Sequence, residues 1–170
     1  MAYLLDTNIF LQSKNLEYRF SFCNDFWQLL IDLHNAGIIF SISSVRNEIF
    51  RGNDYLVEWV KTQLPSSFFL NEHDQETLNR YGDLINWVNN SGLYNQNIIK
   101  VFANHEHADT WLIAYAAAHQ MSIITHETIK RPNRNTKVQI PEAAQVLNVP
   151  CVSLYDFLEQ NACGTFQMKP

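Results

Sequence analysis

The sequence predicts an α/β protein: a three-layer α/β/α sandwich around a central parallel sheet of about four to five strands. Its strand-like runs, Leu4-Leu5, Ile38-Ile39-Phe40 and Ile123-Ile124, are short and continuously apolar, without the alternation of a strand that has one wet face. The longer segments between them carry apolar residues at helical spacing. No repeat, low-complexity tract or linker interrupts the pattern, so residues 1–170 read as one domain.

Residues 2–5 form the first buried strand, ended by Asp6-Thr7-Asn8. Asn24 to Ala36 is a helix with Phe26, Leu29, Leu30 and Leu33 on one side and Gly37 as its stop. Ile38-Ile39-Phe40 is the second strand, after which Ser43 or Ser44 caps a helix that runs through Phe50. Asp54 to Gln63 is helical up to Pro65, and Phe68-Phe69-Leu70 is a short strand. Asp74 to Asn90 is a helix through Leu78, Tyr81, Leu84, Ile85 and Val88, followed by a loop at 91–97 and a short helix near Ile98 to Ala103. His107 to His119 is the clearest helix, with Trp111, Leu112, Tyr115 and Ala116 on its apolar side. Met121 to Thr125 is a strand, 128–139 a polar basic loop, and Pro141 opens a helix to about Leu147. Cys151-Val152-Ser153 and a helix from Leu154 to Gln160 complete the chain.

Hydrophobic residues make up 46% and charged residues 17% of the chain, a globular balance. No apolar stretch is long enough to span a bilayer, and Asp6 interrupts the first apolar run, so neither a membrane span nor a signal peptide is expected; the cytoplasm is the default location. Cys23, Cys151 and Cys163 are few and widely spaced, which excludes a zinc ribbon or a disulfide framework. The net charge of -5 argues against nucleic-acid affinity from bulk charge, although a carboxylate cluster loaded with divalent cations reverses its local field.

Four acids stand where an apolar element does not need them. Asp6 ends the first strand, and Glu127 lies just past the run Ile123-Ile124-Thr125. Glu48 shares a helix face with Val45, Ile49 and Gly52, and Asp109 shares one with Leu112, Ile113 and Ala116. Each has an ordinary alternative: a turn acid at Asp6, a helix-edge acid at Glu48, a dipole-favoured first-turn acid at Asp109 and a loop acid at Glu127. Together they suggest convergence on a cation, because buried charge is expensive unless something pairs with it. Carboxylate oxygens suit Mg²⁺ or Mn²⁺, and two such ions can activate water against a phosphodiester.

The order of these acids carries a resemblance. Tyr3-Leu4-Leu5-Asp6-Thr7-Asn8-Ile9-Phe10 resembles the opening strand of PIN-domain ribonucleases, and Ser43-Ser44-Val45-Arg46-Asn47-Glu48-Ile49 their second motif. Ala108-Asp109-Thr110-Trp111-Leu112-Ile113-Ala114 is similar to the third motif, and Ile123-Ile124-Thr125-His126-Glu127 to the closing strand. The likeness spans nearly the whole chain and is strongest to a little-characterised bacterial subgroup related to VapC-type toxins. It implies a Mg²⁺- or Mn²⁺-dependent endoribonuclease, the toxin of a type II toxin–antitoxin pair. RNA would be its substrate, an antitoxin protein its partner, and a homodimer its assembly. Asp6, Glu48, Asp109 and Glu127 then take the positions of the catalytic, metal-binding acids, with Thr7, Asn8 and Thr125 positioning ligands or water behind them. The fourth acid is Glu where the family has Asp, and the stretch between Glu48 and Asp109 is longer than in compact toxins.

Lys130, Arg131, Arg134 and Lys137 form the notable basic cluster; they, Lys14 and His126 are the candidates for contacting the RNA backbone, against the commoner fate of a solvated loop. His105-Glu106-His107 lacks the spacing of a helical zinc motif, and no nucleotide-binding glycine loop occurs. Two other readings stay open: a strand-end aspartate phosphatase or phosphoreceiver at Asp6, which Asn8 disfavours, and a PIN-like binding module without turnover, for which Glu127 leaves room.

Overall fold

The computed structural model describes residues 2–128 and 136–170. Five short strands form the sheet: β1 (Tyr3–Leu5), β2 (Ile39–Ile42), β3 (Phe69–Leu70), β4 (Ser122–Ile124) and β5 (Cys151–Val152). All pair in parallel in the order β3-β2-β1-β4-β5. Helices cover both faces, giving the three-layer α/β/α arrangement of a PIN-like fold. They are α1 (Thr7–Asn15), α2 (Asn24–Asn35), α3 (Ser43–Ile49), α4 (Tyr55–Thr62), α5 (Gln75–Asn90), α6 (Gln96–Phe102), α7 (Ala108–Ala118), α8 (Ile140–Val146) and α9 (Leu154–Asn161).

Leu4, Leu5, Ile123 and Ile124 are at most 1% exposed, which is why their strands read as unbroken apolar runs. Burying each such side chain contributes roughly 1.5–3 kcal/mol. Ser41, also fully buried, spends its hydroxyl on the Leu5 carbonyl at 2.7 Å and so ties β2 to β1. Gly37 ends α2 in the left-handed region at φ +73°, where a side chain would be strained. The Gly37 N–H reaches the His34 carbonyl and the Ile38 N–H the Leu33 carbonyl, and these two bonds turn the chain into β2.

Several elements differ from the sequence reading. The chain after Asp6 is not a plain turn: it enters α1 at once, burying Ile9 and Phe10. Ser43 and Ser44 do not cap α3 but lie inside its first turn, where their backbone N–H groups donate to the carboxylate of Glu72 at 3.0 and 2.8 Å. Glu72 is 1% exposed and comes from 28 residues along the chain, so no local signal marks it as the cap. Leu78 faces solvent rather than the core, at 43% exposure. A C-terminal hairpin of β6 (Ala162–Cys163) and β7 (Gln167–Met168) brings Phe166 against Tyr18 and Phe26. The middle of the basic loop, with Lys130, Arg131 and Arg134, lies outside the described residues.

Chain order reverses at β1, which pairs with β2 on one side and β4 on the other. In open parallel sheets a crevice forms outside the carboxyl ends of strands at such a point. Asp6 follows β1 and Thr125 follows β4, so the fold delivers both to that crevice.

Candidate active site

Asp6 sits at the floor of the crevice, 1% exposed, as the residue that precedes α1. Its backbone N–H extends the sheet ladder to the Ile124 carbonyl at 3.1 Å, which fixes where its side chain emerges. Oδ2 accepts the Thr125 hydroxyl at 2.9 Å and, at 3.4 Å, the Asn8 amide. No basic side chain forms a salt bridge with Asp6 among the described residues. Burial therefore pushes its carboxyl up to about 7, and the nearby charge of Asp109 adds to the shift; the Thr125 bond opposes it and Glu127 adds further.

Asp109 arrives from the first turn of α7, where the helix dipole favours an anion. From Ala108 to Ala116, Asp109 is the one residue of α7 that is not buried. It opens onto a cleft of about 190 Å³ shared with Ile98, Val101, Phe102, His107, Thr110, Lys137 and Val138. Partial burial in the cleft wall desolvates its carboxyl and raises it to about 6; Lys137 opposes this, and Glu127 and Glu48 reinforce it. Asp109 and Glu127 thus act on Asp6, and Glu127 and Glu48 act on Asp109, so the structure brings the four carboxylates to one region with Asp109 and Glu127 as the links.

Glu48 and Glu127 are differently committed. Glu48 accepts the Thr7 hydroxyl at 2.5 Å through one oxygen and the Ala108 N–H at 2.9 Å through the other. It clamps the start of α7, one residue before Asp109, to the start of α1, one residue after Asp6. Glu127 receives the Lys137 ammonium on one oxygen and the Ile140 N–H on the other, the latter at 2.8 Å. Its own N–H donates to Thr125 Oγ1 at 3.0 Å. Glu127 therefore holds the segment that enters α8, and its extra methylene relative to Asp serves that reach. Among the described residues, no three His, Cys, Asp or Glu side chains are drawn tightly enough together to hold a metal ion.

The remaining candidates separate. Lys14 is paired with Asp54 at 2.6 Å rather than standing free at the crevice rim. His126 lies half-buried beside Tyr155, its ring centroid 5.9 Å away; burial pushes its pKa down, and Glu17 partly offsets this. Cys151, next to the acids on β5, is raised to about 12 by burial, Asp6 and Glu127, so its thiol is no nucleophile at neutral pH. The residue missed as part of this constellation is Lys137. Its ammonium touches Glu127 and stands 3.7 Å from Asp109 Oδ2. Sequence offers only its membership of a basic run, which does not say that its ammonium meets the acids.

The parallel sheet with its switch-point crevice, helices on both faces and acids gathered at the carboxyl ends of β1 and β4 defines a PIN-like fold. Two solved structures share the fold. VapBC2 from Rickettsia felis, bound to a DNA fragment from its promoter, superposes with a TM-score of 0.54 at 14% identity, covering 90% of this chain and 98% of that one. FitAcB from Neisseria gonorrhoeae gives 0.50 at 13% identity, covering 88% and 95%. Such low identities establish fold and nothing finer. No curated protein sequence matches significantly. A family profile matches residues 3–165, and the chain belongs to that family, described as a domain of unknown function, DUF4411.

Proposed function

We propose that this protein is a divalent-metal-dependent endoribonuclease and the toxin of a toxin–antitoxin pair. The observation that carries the reading is the juxtaposition of Asp6, fixed at the end of β1 by Thr125, and Asp109, seated at the start of α7 by the Glu48 bond to Ala108, near enough that the charge of Asp109 acts on Asp6. Mg²⁺ is commonly held by one or two carboxylates with waters and substrate phosphate completing its shell. The donor set fits that demand: Asp6 and Asp109 would hold the ion, because Glu48 and Glu127 already spend both oxygens on protein donors. When bound, the cation supplies charge for the phosphate and lowers the pKa of water.

The chain's own residues do the rest. Thr125 fixes the Asp6 carboxylate, and Glu48 fixes the helix end that carries Asp109. Thr7 and Asn8 support this arrangement from the first turn of α1. A wider cleft of about 540 Å³, lined by Thr125, Glu127, Ser153 and Asp156 among others, adjoins the acids and offers a path for a single strand. Lys130, Arg131, Arg134 and His126 keep the role of backbone contacts in this reading.

The antitoxin partner rests on fold kinship and on apolar surface beside α1 and α4. Phe22 and Tyr55 are 68% and 63% exposed, and Phe20 packs edge-on against Tyr55. A homodimer, a single domain over 1–170 and a cytoplasmic location belong to the same reading. No helix among the described residues is long and apolar enough to cross a membrane.

The test is cleavage of a mixed RNA pool with Mn²⁺, comparing wild type with Asp6→Asn and Asp109→Asn and mapping the new ends. Cleavage confined to wild type supports the assignment; undiminished cleavage by either folded variant overturns it.

A further inference from the structure

The acid cluster contains its own cation. Lys137 lies just before α8, in the wall of the cleft that Asp109 opens onto, and its ammonium bonds Glu127 while facing Asp109 at 3.7 Å. Its side chain is 45% exposed, so the ammonium is reachable by water and by competing ions. The placement is held from both sides. Glu127 takes the Ile140 N–H three residues beyond Lys137, and Thr125 takes the Glu127 N–H, so the segment that enters α8 is tied to the end of β4 with Lys137 against the acids.

We propose that Lys137 is a tethered counter-ion that fills the Asp109–Glu127 half of the cluster and restricts the site to one divalent ion, held by Asp6 and Asp109. The proposal rests on the metal-binding reading above and adds what that reading leaves open, the stoichiometry and strength of metal binding. A divalent ion entering between Asp109 and Glu127 must displace the ammonium, and an ion on Asp6 and Asp109 binds within its repulsive field. Lys137 weakens metal binding in the absence of RNA and leaves the ion dependent on substrate phosphate for part of its shell.

Calorimetric titration of the metal-free, full-length protein with Mn²⁺, without RNA, tests this. Wild type should bind one ion. Lys137→Met should bind a second, or bind one about tenfold more tightly, the scale expected for removing a like charge a few ångströms away at a partly exposed site. Lys137→Gln, which keeps a donor for Glu127, should behave like the Met variant, and Lys137→Arg, which keeps the charge, like wild type; this separates charge from packing should one variant fold poorly. Equal stoichiometry and affinity across all four proteins overturns the counter-ion role and leaves the metal site standing. Weaker binding by both neutral variants also overturns it. Absence of Mn²⁺ binding by every protein overturns both the proposal and the metal-binding reading.

Discussion

Thr125 holds Asp6 from across the switch point: its hydroxyl donates to Asp6 Oδ2 at 2.9 Å while the same oxygen accepts the Glu127 N–H at 3.0 Å. One side chain that is 2% exposed thus links the end of β1 to the turn after β4. Thr125→Val keeps the shape and removes both bonds. It should destabilise the fold by about 1–3 kcal/mol, since a buried carboxylate loses its donor, and Thr125→Ser should recover most of the loss. Urea unfolding of the three proteins measures it; a Val variant as stable as wild type would show that the linkage carries no energy.

The pH dependence follows from the two aspartates. The fold raises Asp6 to about 7 and Asp109 to about 6 from an ordinary 3.8. Folded pKa values above unfolded ones mean that the folded state binds the protons more tightly. The associated stabilisation is complete below about pH 4 and is lost as pH rises through 6 to 7. Metal-free protein should therefore show a falling Tm between pH 5 and 8. Asp6→Asn should flatten that slope and be more stable than wild type at pH 8 by roughly 2–4 kcal/mol, because a neutral amide has no buried charge to desolvate. A parallel pH slope in the Asn variant would count against this account.

Divalent ions should act in the opposite pH window. Because the ion competes with protons for Asp6 and Asp109, about 5 mM Mn²⁺ should raise Tm clearly at pH 8 and little at pH 5, by mass action on the folded state alone. Differential scanning calorimetry reads the effect directly. Asp109→Asn should abolish it, and a metal response that persists in that variant would place the ion elsewhere.

As candidates, Asp6, Glu48 and Asp109 stand out in the sequence because each breaks a local pattern, an acid after an apolar strand or on an apolar helix stripe. The parallel sheet was legible because strands buried on both faces cannot alternate. What escaped the sequence is contact made at a distance. Glu72 caps α3 from 28 residues away, and Glu127 serves a helix start 13 residues on. Helix α1 was missed because Asp6-Thr7-Asn8 has the composition of a turn, while its first turn is held through tertiary contact between Thr7 and Glu48. Lys137 reads as one of a basic run because charge patterning does not show that its ammonium meets Glu127 and Asp109.

Glu127 gives a prediction about side-chain length. Glu127→Asp preserves the charge, but one methylene less prevents the carboxylate from reaching both Ile140 N–H and Lys137. The expected cost is about 1–2 kcal/mol, one to two charge-assisted bonds weakened at a partly buried site. Amide hydrogen exchange should accelerate at Ile140 and through the first turn of α8, with α7 unaffected. Exchange unchanged at Ile140 would mean that the shorter acid still serves the helix.

Glu48 and Thr7 can be tested as a pair, because their bond joins the helix after Asp6 to the residue that seats Asp109. Thr7→Val and Glu48→Gln should each destabilise modestly. The double variant should fall short of the sum by about 1 kcal/mol, the coupling expected of one hydrogen bond to a charged partner. Glu48→Gln retains an acceptor for the Ala108 N–H, so it should keep α7 in place, whereas Glu48→Ala frees that N–H and should lower RNA cleavage as well as stability. Additive single effects, measured by chemical denaturation, would break the proposed chain of support from Thr7 through Glu48 to Asp109.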